Sequence, residues 1–269
     1  MSTPRLMPPV TYQGGKRRQA PEIVDLMLPD LLAREGRFYE LCAGSGAVSL
    51  ELLYRGFPAS RMTMVDAGPW GDLWRAFGEG AFPLRTFKLL AARAAGYDSA
   101  TRQAWLRSLV GVPTSPQSRL AVFLLLQGHS FGGIAVTESV EGVFDTPGLM
   151  LRPMAASCIE HTTRLARYVR GVTGRRCNVS EVDLSDAACV YIDPPYVNTA
   201  GYGSLAVDIP ALAARCPAPL YVSEGVTFEG ASRTVKVDSV RTGYLARRDA
   251  PDEWVSIFDR PLVPQARGG

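Results

Sequence analysis

The chain has 269 residues, 46% hydrophobic and 20% charged, with a formal net charge of +3. That balance excludes a disordered or fibrous chain and accommodates one large domain, or a core domain with an insertion. So small a positive charge is compatible with a polyanionic partner without demanding one.

Lysine occurs only at Lys16, Lys88 and Lys236, so nearly every cation is an arginine, whose planar fork suits phosphate and guanine. The cysteines (Cys42, Cys158, Cys177, Cys189, Cys216) are odd in number and widely spaced, and His129 and His161 are the only histidines. No CxxC pair occurs, so no zinc or other metal site is expected. Free thiols point to a reducing compartment. Residues 1–10 lack the apolar core of a signal peptide, and the apolar run 120–126 is too short to span a bilayer. A cytoplasmic protein with no membrane contact is the expectation.

Residues 22–32 place Ile23, Val24, Leu26, Met27, Leu31 and Leu32 at the spacing of an amphipathic helix. A short strand over 37–42, a glycine turn over 43–46, helical spacing over 48–54 and a strand over 61–65 follow, closed by Asp66. This is half of a parallel α/β sheet. From 69 to 152 the alternation breaks. Residues 84–95, 101–109 and 118–127 read as helices, and the glycine-rich stretch 128–148 as a hairpin. Seven basic residues face three acidic ones between Gly71 and Ala135, so this insert carries the chain's basic character. From 153 the α/β pattern returns. A helix carries Arg164, Arg167 and Arg170 along one edge. Buried-type strands follow over 189–193, 220–223 and 254–258.

Residues 38–46 read Phe-Tyr-Glu-Leu-Cys-Ala-Gly-Ser-Gly, a strand running into a glycine loop before a helix. Such a loop lets backbone pass close to a ligand and offers free N–H groups, although many α/β proteins turn tightly here for no such reason. The spacing is not GxGxxG, so a dinucleotide fingerprint does not fit. Asp66 ends the next strand, where a carboxylate accepts ribose hydroxyls or, more blandly, caps a helix. A nucleoside cofactor without a pyrophosphate fits this pair better than NAD does. Upstream, Tyr12-Gln-Gly-Gly-Lys16 sets a scarce lysine where it can meet the carboxylate of an amino-acid cofactor such as S-adenosylmethionine (AdoMet).

Val190-Tyr-Ile-Asp-Pro-Pro-Tyr196 is the most specific signal. Two prolines remove N–H donors, stiffen the backbone and leave carbonyl acceptors beside Asp193. An exocyclic amine on a base is a poor nucleophile because its lone pair is delocalised into the ring. Accepting its two hydrogens on Asp193 and the Pro194 carbonyl favours a more tetrahedral nitrogen, and Tyr196 offers a face on which an extruded base can stack.

In this order, Tyr12 to Lys16, the glycine loop, a basic insert and then Asp193-Pro194-Pro195-Tyr196, the chain resembles the Dam-like, alpha-group adenine-specific DNA methyltransferases. Residues 197–202 look like that family's threonine–tyrosine extension, and 253–257 like its terminal strand. The resemblance implies an α/β, Rossmann-like AdoMet-dependent methyltransferase sheet of seven mainly parallel strands with one reversed near the edge. Residues 1–68 and 153–269 would form the catalytic domain, and 69–152 an inserted, mostly helical target-recognition subdomain. Tyr12, Gly15, Lys16, Glu40, Ala43, Gly44, Ser45 and Gly46 would line the AdoMet site. Asp66 would take its ribose, Asp183 its adenine, and Asp193 both cofactor and target. A base flipped from double-stranded DNA is the implied substrate, with Arg102 on phosphate and His129, Ser130, Phe131 and Gly132 at the reading turn. A monomer suffices. Two departures stand out. Leu41-Cys42 replaces the usual Pro-Phe, and 128–136 lacks the usual base-reading arginine, which implies a target other than GATC or relaxed specificity. A related motif serves N4 of cytosine, more often with serine in place of Asp193, and RNA adenine or a protein glutamine, usually with asparagine there; a catalytically inactive DNA-binding relative is the alternative of another class.

Overall fold

A computed structural model describes residues 5–194, 207–237 and 253–260. Helix α1 (Ala20–Leu32) starts with proline in its first turn and buries Ile23, Val24, Met27 and Leu31. Strand β1 (Arg37–Leu41), helix α2 (Ala47–Tyr54) and strand β2 (Met62–Asp66) follow, then α3 (Pro69–Glu79). Next come α4 (Leu84–Gly96), α5 (Ser99–Arg107), α6 (Arg119–His129) and a two-stranded pair, β3 (Thr137–Glu138) with β4 (Phe144–Asp145). Helix α7 (Ala156–Tyr168) leads to β5 (Thr173–Arg176) and β6 (Ala187–Ile192). Helix α8 (Ile209–Arg215), β7 (Leu220–Glu224), β8 (Arg233–Val237) and β9 (Glu253–Phe258) complete the described chain. Among the described residues, no helix is long and apolar enough to cross a membrane.

The seven-stranded sheet has the order β5-β2-β1-β6-β7-β9-β8, and β9 alone runs against its neighbours. This is the expected α/β sheet with one reversed strand beside the edge, compatible with a Rossmann-like fold. The order carries a functional consequence. From β1 the chain steps outward through β2 and β5, then returns to β6 on the other side of β1. Between β1 and β6 the direction of winding reverses, and in open α/β sheets ligands sit at the carboxyl ends of strands at that point. Because β9 is reversed, its first residue, Glu253, comes to the same edge at which the other strands end.

Helix α3, β5, β8 and α8 were not anticipated from the sequence. Helix α3 lies directly on β5, and glycines make the approach possible. A Cβ at Gly71 would sit 2.3 Å from the Arg175 carbonyl oxygen, and one at Gly174 1.9 Å from the Arg75 nitrogen. The boundary expected at residue 69 therefore falls inside the sheet's helical layer. The segment from α4 to β4 shares a continuous apolar core with the sheet, through Trp74, Phe77, Phe87, Phe123 and Phe144. Helix α6 is buried from Ala121 to Gln127 and forms the axis of that core.

Within the expected hairpin region the paired strands are only two residues long, too short to hold themselves. Side chains supply the anchor. The Glu138 carboxylate, with 1% of its side-chain surface exposed, meets the guanidinium groups of Arg119 and Arg176. Asp72 on α3 binds the same two arginines at 2.8 and 3.2 Å. Strand β3, α6, α3 and the end of β5 are thus joined by one cluster of alternating charge. Gln127, fully buried, adds three bonds, donating to the Gly133 and Ile134 carbonyls and accepting from the Val136 N–H.

Glu138→Ala leaves two arginines facing Asp72 alone. It should destabilise the fold by roughly 2–3 kcal/mol, below a fully buried pair because both guanidinium groups keep some water. Urea denaturation measures this. A loss under about 0.5 kcal/mol, the scale of an ordinary surface substitution, would show that the cluster does not anchor the hairpin.

Candidate active site

The turn after β1 is built from left-handed backbone. Cys42 has φ of 54°, Gly44 45° and Gly46 68°. Alternation of this kind turns successive N–H groups to one side and forms an anion-accepting concavity. At Gly46 only hydrogen fits, since a Cβ would lie 2.3 Å from Met64 Cε and 2.6 Å from Trp74 Cζ2. Cys42 pays for its conformation with strain that β1 and the loop must hold in place.

Two carboxylates define the loop's shape. Glu40, buried in β1, accepts the Ser49 N–H at 2.8 Å and so caps α2 from below, where the Gly46 cap position has no side chain to offer. Burial pushes its carboxyl up to about 7, against the pull of the Ser49 and Val48 donors. Asp66, at the end of β2, accepts the Gly44 N–H at 2.9 Å on one oxygen and the Gly68 N–H at 2.8 Å on the other. Burial raises its carboxyl too, opposed by those two N–H groups and by Arg176. A carboxylate can take about four hydrogen bonds, so Asp66 keeps acceptor capacity at the loop's mouth.

The segment 12–16 packs against this loop. Gly44 sits under the Tyr12 ring, so that a Cβ there would meet Tyr12 Cε1 at 2.6 Å. The space beside Gly15 is filled by Ser45 Oγ and the Tyr12 carbonyl. Lys16 is buried and reaches Asp193 Oδ1 at 2.7 Å and Glu253 Oε1 at 3.4 Å. Burial pushes the Asp193 carboxyl up to about 6, moderated by Lys16 and aggravated by Glu253. The opposing carboxylates outweigh burial for Lys16 and raise its ammonium above the ordinary lysine value.

The structure thus brings together Tyr12, Gly15, Lys16, Glu40, Ala43, Gly44, Ser45, Gly46, Asp66, Asp193 and Pro194. Pro195, Tyr196 and the extension 197–202 lie outside the described residues. Asp183 does not join the group. It is exposed on the segment returning to the start of β6, accepts the Ser185 N–H, and lies three residues before Asp186, whose carbonyl accepts from Arg37 at the beginning of β1. That is the amino end of the strands.

Four residues at this edge were missed. Trp70 and Trp74 on α3 wall the loop. Trp74 Nε1 donates to the Gly44 carbonyl at 2.8 Å, and the Trp70 ring meets Tyr12 edge-on at 5.3 Å. The helical spacing Trp70, Leu73, Trp74, Phe77 after Gly68-Pro69 was a readable signal. Glu224 ends β7 and Glu253 begins β9, both buried. Acids at the ends of recognised strands were the available clue.

The expected DNA contacts divide. Arg102 is buried, and its guanidinium is spent on the carbonyls of Ala94, Tyr97 and Leu151. It joins α4, α5 and the loop before α7, so the expected phosphate contact is corrected to a structural one. His129 is fully buried. Its Nε2 accepts the Met154 N–H at 3.2 Å, which leaves Nδ1 to donate to the Leu125 carbonyl at 2.9 Å. Burial lowers its pKa and keeps the ring neutral. Ser130 is also internal, donating to the Ile134 carbonyl. These two are corrected likewise, from reading residues to supports of the turn. Phe131 is 67% exposed and Gly132 is exposed beside it. The Gln13 N–H bonds the Gly133 carbonyl at 2.9 Å, so this exposed turn adjoins the segment that carries Lys16. Among the described residues, no cluster of His, Cys, Asp and Glu has the makings of a metal site.

Glu40→Gln gives a test of the site's electrostatics. A carboxyl whose folded pKa is raised loses stability as pH climbs from its free value through about 7. Glutamine can still accept the Ser49 N–H but carries no charge. The variant should exceed the wild type by on the order of 1–3 kcal/mol at pH 8, with the gap closing toward pH 5. Chemical denaturation across pH measures it, and a pH-independent difference would contradict the assignment.

No protein-family model and no curated protein matches this chain.

Proposed function

We propose that this protein transfers a methyl group from AdoMet to N6 of adenine in double-stranded DNA, acting on a base flipped out of the duplex. The observation that carries the reading is the charge at the carboxyl edge. Around the glycine loop stand Glu40, Asp66, Asp193, Glu224 and Glu253, with Lys16 bound between two of them. A surplus of carboxylates repels a pyrophosphate and attracts a sulfonium cation. The loop fits the same cofactor, because its glycines leave room for a ligand against backbone and Asp66 can accept ribose hydroxyls.

AdoMet supplies an electrophilic methyl whose transfer discharges the sulfur. The chain's own residues have the remaining tasks. Asp66, Tyr12 and the loop N–H groups would hold the nucleoside. Asp193 and the Pro194 carbonyl would accept the two hydrogens of the target amine and turn its lone pair toward the methyl. With Arg102, His129 and Ser130 occupied internally, the DNA is proposed to lie over the exposed Phe131–Gly132 turn and the hairpin tip at Val140, which is fully exposed. A slim two-stranded ribbon fits the major groove.

Asp66→Ala should weaken AdoMet binding about tenfold, the loss of one or two charge-assisted hydrogen bonds. Calorimetry reads this, and EDTA should leave the affinity unchanged. Asp193→Ala should lower methyl transfer to DNA by roughly 10²-fold or more while circular dichroism stays as in the wild type. In the wild type, kcat/KM should fall as pH drops through about 6, since protonated Asp193 no longer accepts both ways. Near-normal turnover by folded Asp193→Ala would sink the reading.

A further inference from the structure

Resemblance assigns Lys16 to the cofactor, but its surroundings describe a different role. A buried ammonium is tolerated only when paired. Lys16, with 5% of its surface exposed, has its charge matched by Asp193 at 2.7 Å and Glu253 at 3.4 Å, and it also donates to the Gly14 carbonyl at 3.3 Å. To take a cofactor's carboxylate, Lys16 would have to loosen these bonds. Glu253 comes to this edge because β9 is reversed, and its backbone pairs with Val237 on β8 while the next residue, Trp254, pairs with Glu224 on β7. Glu253 is therefore placed by sheet register, whereas Lys16 sits on a loop.

On the reading of function proposed above, we infer that Lys16 and Glu253 are positioning residues for Asp193. Glu253 holds the ammonium, the ammonium fixes Oδ1 of Asp193, and Oδ2 is left for the target amine. The arrangement also governs the charge of Asp193. Among the described residues, the titratable groups that interact electrostatically with it are Lys16, Glu40 on β1, Cys42 in the loop, Tyr191 on β6, Glu224 on β7 and Glu253 on β9. Lys16 is the cation among these six, so it is the group that favours the carboxylate, and Glu253 opposes that effect electrostatically while holding the lysine in place.

Paired substitutions test this because their effects on Asp193 have opposite sign. Lys16→Met removes the cation and should move the Asp193 titration up by about one pH unit or more. Glu253→Gln keeps the shape, removes a negative neighbour and should move it down. The Asp193 titration is followed by 13C NMR of labelled aspartate carboxyls, assigned with Asp193→Asn, and in parallel by the acid limb of kcat/KM for DNA methylation. S-adenosylhomocysteine should bind both variants within about threefold of the wild type by calorimetry, a difference well under one hydrogen bond to a charged group. Tenfold weaker binding by Lys16→Met with the Asp193 titration unmoved would overturn the inference and make Lys16 a cofactor ligand. A merely structural role would lower rates at every pH and shift neither titration. Because the NMR titration needs no activity, a wild type that fails to methylate DNA would refute the function while leaving the Lys16–Glu253 relation separately decided. Should Lys16→Met not fold, Glu253→Gln alone decides, by whether the titration moves down.

Discussion

Three pieces of the chain meet at one buried ammonium. Lys16 lies before the first helix, Asp193 directly follows β6, the fourth strand in the sheet's run from β5, and Glu253 opens the reversed strand. Burying any one of these charges alone would cost several kcal/mol, so none of the three segments can dock stably without the others. The glycine loop follows from the same constraint. Segment 12–16 reaches Asp193 only by passing over Gly44 and Ser45, and glycine at 44 and 15 is what admits the Tyr12 ring and the close backbone path. Asp66 then ties that loop to the neighbouring strand.

A second cluster serves the opposite flank. Asp72, Arg119, Glu138 and Arg176 join the hairpin to α3 and to the last residue of β5. Arg176 also stands in register with Asp66. The hairpin is thus tied to β5, the strand that pairs with β2 and its terminal Asp66. Its tip is exposed at Val140 while its root at Glu138 is charged and enclosed, so the root fixes where the tip stands.

Much of the central sheet was legible because its strands are apolar and end in recognisable chemistry. β1, β2, β6, β7 and β9 fall within a residue or two of expectation, and α1, α4, α5 and α6 follow their apolar spacing. β5 was invisible for a physical reason. Thr-Gly-Arg-Arg has no apolar run, since α3 covers it through glycine contacts and its arginines turn to the charge cluster. β8, Arg233–Val237, is an edge strand with mixed exposure and gives as weak a signal. The site divides similarly. Lys16, Asp66 and Asp193 could be named because local motifs carry them, whereas Glu224 and Glu253 gain their place only from sheet order. Arg102 misled because a buried arginine and a phosphate-binding one look alike in sequence. Only the carbonyls of Ala94, Tyr97 and Leu151 separate them.

The proposed function turns on the atom that receives the methyl group. Unmodified duplex DNA incubated with the protein and methyl-labelled AdoMet, then digested to nucleosides and separated, identifies that atom directly. Label is expected in N6-methyl-2′-deoxyadenosine. Label in N4-methyl-2′-deoxycytidine would keep the chemistry and change the acceptor, and no label above background with folded, AdoMet-bound protein would contradict the proposed methyl transfer outright.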